Sequence, residues 1–134
     1  MSMHKIVSSA FATLQPRRSV LYMPASNARA INKARTLPVD CVILDLEDAV
    51  APSMKEAARV TALQAIAEGG FGDRELALRI NPEGSPWFEA DLEAAIASGV
   101  HAVVLPKVES AETVQHVADM LPDGMAVWAM IETP

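Results

Sequence analysis

Five short apolar runs recur along the chain, their starts about 20 to 35 residues apart, and a longer segment of helical character follows each of the first four. That alternation constrains the fold more than any other feature. The runs are SVLYM (19–23), CVILDL (41–46), ELALRI (75–80), HAVVLP (101–106) and MAVWAMI (125–131). They are apolar at consecutive positions, so both faces of each strand face apolar surroundings, which is the habit of a parallel sheet covered on both sides. The intervening helices are expected from about 27 to 35 with Ser26 or Asn27 as N-cap, and from Pro52 and Ser53 to Glu68, ended by Gly69 and Gly70. Two more are expected from Trp87 to Ser98, stopped by Gly99, and from Ser110 to Met120, closed by Pro122 and Gly124. The order βαβαβαβαβ defines an α/β fold. A doubly wound sheet fits within 134 residues. A complete (β/α)8 barrel takes about 250.

Composition sets further limits. With 51% hydrophobic and only 4% aromatic residues, the core is aliphatic and globular. No run of 18 apolar residues is present, so no membrane partner is expected, and the acidic balance gives no reason to expect nucleic acid. The single Cys41 lies inside an apolar run and reads as a small buried thiol, consistent with a reducing, cytoplasmic setting. The formal charge of −6 is unevenly spread: residues 1–39 carry six Lys or Arg and no acid, leaving five bases against 17 acids in the rest. Residues 1–16 read as a solvated tail. Their acid-free, Ser-containing composition leaves mitochondrial import as the alternative, against which stands the single base before Arg17. Arg17 and Arg18 precede the first strand and are candidates to meet an anion.

In both architectures the functional end is the carboxyl end of the strands. Polar residues gather there: Asp45, Glu47 and Asp48 after strand two, Arg79 and Asn81 after strand three, Lys107 and Glu109 after strand four, Glu132 and Thr133 after strand five. The apolar part of CVILDLEDAV is thus wall, and its acids are the floor of a site. Glu47, Asp48 and Glu132 offer hard oxygen ligands to Mg²⁺, and Arg79 can clamp a carboxylate or keto acid. Together they suit an enolate or a polarised carbonyl, as in carbon–carbon bond cleavage. No His/Cys metal spacing, phosphate-binding loop or GxGxxG is present, and His4, His101 and His116 are isolated, so structural roles are expected for them.

The segments RRSVLYMPASN, CVILDLEDAVAPSMKEAAR, LRIN, VVLPKVES and AMIETP, in this order, resemble the first half of the citrate lyase β-subunit-like CoA-ester lyases of the HpcH/HpaI aldolase superfamily. The resemblance covers residues 17–134. It implies a (β/α)8 TIM barrel, of which this chain supplies about the first five strands and four helices. It also implies that Glu132 ligates Mg²⁺, that Arg79 binds the substrate's carboxylate or keto acid moiety, and that Glu47 and Asp48 lie by the metal and its waters. Arg18 and Lys107 are implied as substrate or CoA contacts. Relatives often have Gly where this chain has Ala25. The implied reaction is Mg²⁺-dependent cleavage of a 3-hydroxyacyl-CoA, of citryl-, malyl- or citramalyl-CoA type, to an acyl-CoA and a keto acid in a homo-oligomer. A CoA-independent class II-type aldolase of small hydroxy keto acids is the alternative within enzymes, and a non-catalytic barrel fragment the alternative outside them. Relatives place a second metal carboxylate one βα unit beyond the MIET segment, so the 134-residue portion by itself is expected to lack lyase activity, and with an open sheet edge and an uncovered apolar inner face it is expected to self-associate or stay partly unfolded.

Overall fold

The computed structural model describes residues 18–131. The tail, His4, Arg17, Glu132 and Thr133 lie outside the described residues. Five strands, β1 (Val20–Pro24), β2 (Cys41–Asp45), β3 (Glu75–Arg79), β4 (Ala102–Leu105) and β5 (Ala126–Ala129), alternate with four helices, α1 (Ala28–Ala34), α2 (Lys55–Glu68), α3 (Phe88–Ser98) and α4 (Ala111–Met120). Each boundary has a local cause. Asn27 caps α1 by accepting from the Ala30 amide at 3.0 Å, and Ser110 caps α4 through the Thr113 amide. A 3₁₀ turn over Pro52–Met54 leads into α2, and Gly69 and Gly99, at φ of 68° and 78°, end α2 and α3 where a side chain would strain the backbone. Pro24 is the last residue of β1, in register with Asp45, at an edge where a missing N–H is tolerated.

All five strands are parallel and stand in the order β1-β2-β3-β4-β5. That order decides between the two architectures. A doubly wound sheet reverses direction at a switch point, whereas here every crossover steps to the next neighbour the same way. Right-handed crossovers that all step one way put every helix on one side of the sheet, as in a barrel wall.

The two faces accordingly differ. Val42, Leu44, Leu76, Leu78, Val103, Leu105 and Val127 pack with Ile31, Ala58, Ala62, Leu92, Val114 and Val117 of the helices. The opposite face carries Cys41, Ile43, Ala77, Ala102, Val104 and Ala126, flanked by Trp128 and Met130. Cys41 is buried, as expected. No helix among the described residues is long and apolar enough to cross a membrane. His101 sits at the start of β4, its Nδ1 accepting from the Leu76 amide at 2.9 Å, and His116 is exposed on α4.

Candidate functional site at the carboxyl rim

Strand parity puts Asp45 on the helix-free face with Cys41 and Ile43, and Arg79 there with Ala77. The β2–β3 register sets them side by side. Asp45 is 1% exposed and its oxygens accept four hydrogen bonds. Arg79 Nε donates to Oδ1 at 2.8 Å and Nη2 to Oδ2 at 2.6 Å, while the amides of Glu47 and Ala49 donate at 2.8 and 3.0 Å. One carboxylate therefore fixes both the guanidinium and the turn that carries the next acids. Burial acts to raise the Asp45 carboxyl, but the Arg79 bond and the two amides outweigh it and hold it below the usual carboxylate range. The same bond pushes the Arg79 guanidinium up, so the pair stays ionised. Arg79 has five N–H donors, of which Asp45 takes two. Its Nη1 lies 3.4 Å from Met130 Sδ, and its Cζ stands 5.0 Å from the Tyr22 ring centroid.

Glu47 is buried beside this pair. Its Oε2 accepts from Lys107 Nζ, while Oε1 is buried without a hydrogen-bond partner among the described residues and lies 3.8 Å from Arg79 Nε. Asp48 is exposed and lies 3.5 Å from Lys107 Nζ. Its carboxyl titrates below the usual range, first because of the Glu47 carboxyl beside it and then, against some burial, because of the Lys107 ammonium. Lys107 is raised, chiefly by its bond to Glu47. At φ 52° it is the one non-glycine among the described residues with a left-handed backbone.

The acid loop is braced from below. Lys55, buried at the start of α2, donates to the Leu46 and Glu47 carbonyls at 3.0 and 2.7 Å and lies 5.3 Å from the Trp87 ring centroid. Asn81 Nδ2 donates to the Leu46 carbonyl at 3.0 Å and to Asp91 at 2.7 Å, and Asp91 is paired with Arg59 at 2.9 Å. These buried polar groups are satisfied, as their burial demands.

Of the sequence-predicted site residues, Glu47, Asp48, Arg79 and Lys107 converge on one rim. Glu132 lies outside the described residues. Arg18 does not join them: it precedes β1, bonds Asp40 through its amide at 2.8 Å, and extends an 82% exposed side chain at the amino ends of the strands. Parallel strands place everything before a strand at the end remote from the rim. Asp45 and Asn81 were expected at this rim without an assigned role, whereas Tyr22 and Lys55 were not expected there. Strand parity could have found Tyr22, while the backward reach of Lys55 leaves no sequence signal.

Residues 18–125 match the profile of the HpcH/HpaI aldolase/citrate lyase family. The chain belongs to that family. It is 42% identical over 118 residues to a (3S)-malyl-CoA thioesterase of Cereibacter sphaeroides, covering 88% of this chain and 41% of that protein. It is 41% identical over 106 residues to the mitochondrial citramalyl-CoA lyase of Homo sapiens, covering 78% and 31%. Among solved structures, the citrate lyase beta subunit of M. tuberculosis complexed with oxaloacetate and magnesium superposes with a TM-score of 0.69 at 35% identity, over 87% of this chain and 49% of that one. The chain thus spans less than half the length of these relatives.

Proposed function

We propose that this chain supplies the acid loop and the arginine clamp of a Mg²⁺-dependent lyase that splits a 3-hydroxyacyl-CoA, of citryl-, malyl- or citramalyl-CoA type, into an acyl-CoA and a keto acid. The observation that carries this reading is the buried Glu47 Oε1, without a hydrogen-bond partner among the described residues, beside an arginine locked on Asp45. Relatives that act on malyl-CoA and citramalyl-CoA, and a neighbour holding oxaloacetate and magnesium, support the substrate class and the metal.

The donor set fits Mg²⁺. Among the described residues no cluster of three or more ligating side chains forms, but this hard ion commonly uses one or two carboxylates, substrate oxygens and several waters. Glu132 would ligate it, with Glu47 and Asp48 holding its waters. When bound, the ion would stabilise negative charge on the oxygen of an enolate or keto group. Arg79 is assigned the keto acid's carboxylate: with two donors spent on Asp45, it presents its remaining N–H groups in an orientation set before the ligand arrives. Tyr22 supports the guanidinium plane, and Lys55 and Asn81 keep the acid loop from yielding.

The 42% identical thioesterase favours a second reading, in which the same site hydrolyses a CoA thioester. Product analysis on the full-length protein separates them. A lyase yields keto acid and acyl-CoA with no free thiol, whereas a thioesterase yields CoA thiol and a hydroxy acid. We expect keto acid, abolished by chelation and reduced at least a hundredfold in Arg79→Lys, because an ammonium lacks the planar fork. Formation of free CoA alone would discard the lyase reading in favour of the hydrolase.

A further inference from the structure

The β4–α4 loop holds Lys107 in a conformation that non-glycine residues adopt only when their surroundings impose it. The loop is pinned on both sides to the end of β5: the Met130 amide donates to the Leu105 carbonyl at 2.8 Å, and the Val108 amide to the Met130 carbonyl at 3.1 Å. So placed, Lys107 aims its ammonium across the rim at Glu47 Oε2 and Asp48 Oδ1, on a loop sixty residues earlier in the chain. We propose that Lys107 is a built-in counter-cation of the Glu47–Asp48 pair, which it occupies while the site is empty and surrenders to a divalent ion.

The inference rests on the Mg²⁺ reading above and adds a residue that opposes binding. The two cations near Glu47 are not equally removable. Arg79 is buried and held by Asp45, whereas the Lys107 side chain is 47% exposed on a flexible stem, so its own charge can move into water once another cation meets Glu47. Glu47, with its side chain 6% exposed, has no such freedom and must accept one cation or the other. A divalent ion whose waters these carboxylates hold would compete with a resident ammonium for the same oxygens and meet its like charge at short range, so the two oppose each other. Lys107, once released, becomes a cation at the rim for an anionic ligand, which couples metal entry to the binding of that ligand.

Calorimetric Mg²⁺ titration of the full-length protein tests this. Lys107→Met and Lys107→Gly, the latter also suited to the left-handed backbone, are expected to bind Mg²⁺ about tenfold more tightly than the parent, with Lys107→Arg close to the parent. Thermal midpoints identify any variant that fails to fold, and either neutral variant suffices. Unchanged or weaker Mg²⁺ binding in a folded neutral variant overturns the inference and leaves the metal reading intact. Absence of Mg²⁺ binding in the parent and all variants overturns both.

Discussion

The face of the sheet that meets the helices and the face that does not are built from alternate residues of the same strands, yet they have different composition. On the helix side stand Val42, Leu44, Leu76, Leu78, Val103 and Leu105, large aliphatics packed against four helices. On the other stand Ile43 and Val104 among the smaller Cys41, Ala77, Ala102 and Ala126, and above them Asp45 and Arg79. Side-chain volume on the first face closes space; the alanines and Cys41 on the second leave room for a charged pair and the Tyr22 ring. Stability and chemistry are thus assigned to opposite parities of one strand. Residues 44 and 45, adjacent in sequence, belong to different tasks.

The contrast is sharpest at Asp45. Asp45→Asn would leave Arg79 buried without its counter-charge, so we expect a loss of about 3–5 kcal/mol in urea unfolding. The sign with pH follows from the lowered carboxyl. Its stabilising effect is complete above the unfolded-state value of about 4 and is lost as pH falls through the lower folded-state value. Unfolding curves of the parent should therefore lose stability below about pH 4, and the Asn variant should lose less over the same interval. If both decline in parallel, Asp45 is not the responsible carboxyl. On the helix side, Leu44→Ala should cost about 2–4 kcal/mol through a cavity, with no change in the acid response. Val104→Ala, on the small-residue face, removes two methyl carbons from a thinner layer and should cost about 1.5 kcal/mol. Val20→Thr is expected to stay within about 0.5 kcal/mol, because Val20 is already 45% exposed. A cost from Val20→Thr equal to that of Leu44→Ala would erase the distinction between the faces.

The fold was legible in the sequence wherever one residue type has one local meaning. Gly69 and Gly99 ended helices as expected, since few other residues adopt their backbone at no cost. Continuous apolar runs announced parallel strands but not their order; the winding rests on long-range pairing that no single run encodes. Within CVILDLEDAV, residue type alone treats Asp45, Glu47 and Asp48 as equals. The structure separates them by position. Asp45 ends a strand and saturates its oxygens with four donors, while Glu47 and Asp48 lie on the loop and share Lys107. Arg18 misled for the opposite reason, because a charge beside a strand says nothing about which end of the sheet it occupies until chain direction is considered. Lys55 escaped notice since its acceptors are main-chain carbonyls, which leave no mark on composition.

The Asp45–Arg79 pair also proofreads the alignment of β2 with β3. Both are the fifth residue of their strand. A shift of β3 by one residue along β2 would turn Arg79 toward the helices, into the company of Leu44 and Leu78, and leave Asp45 facing an aliphatic side chain. Mispaired intermediates would carry two unmatched buried charges, while a correctly aligned pair carries none. The apolar strands, which by themselves would slide past one another at little cost, are thereby given a single acceptable stagger.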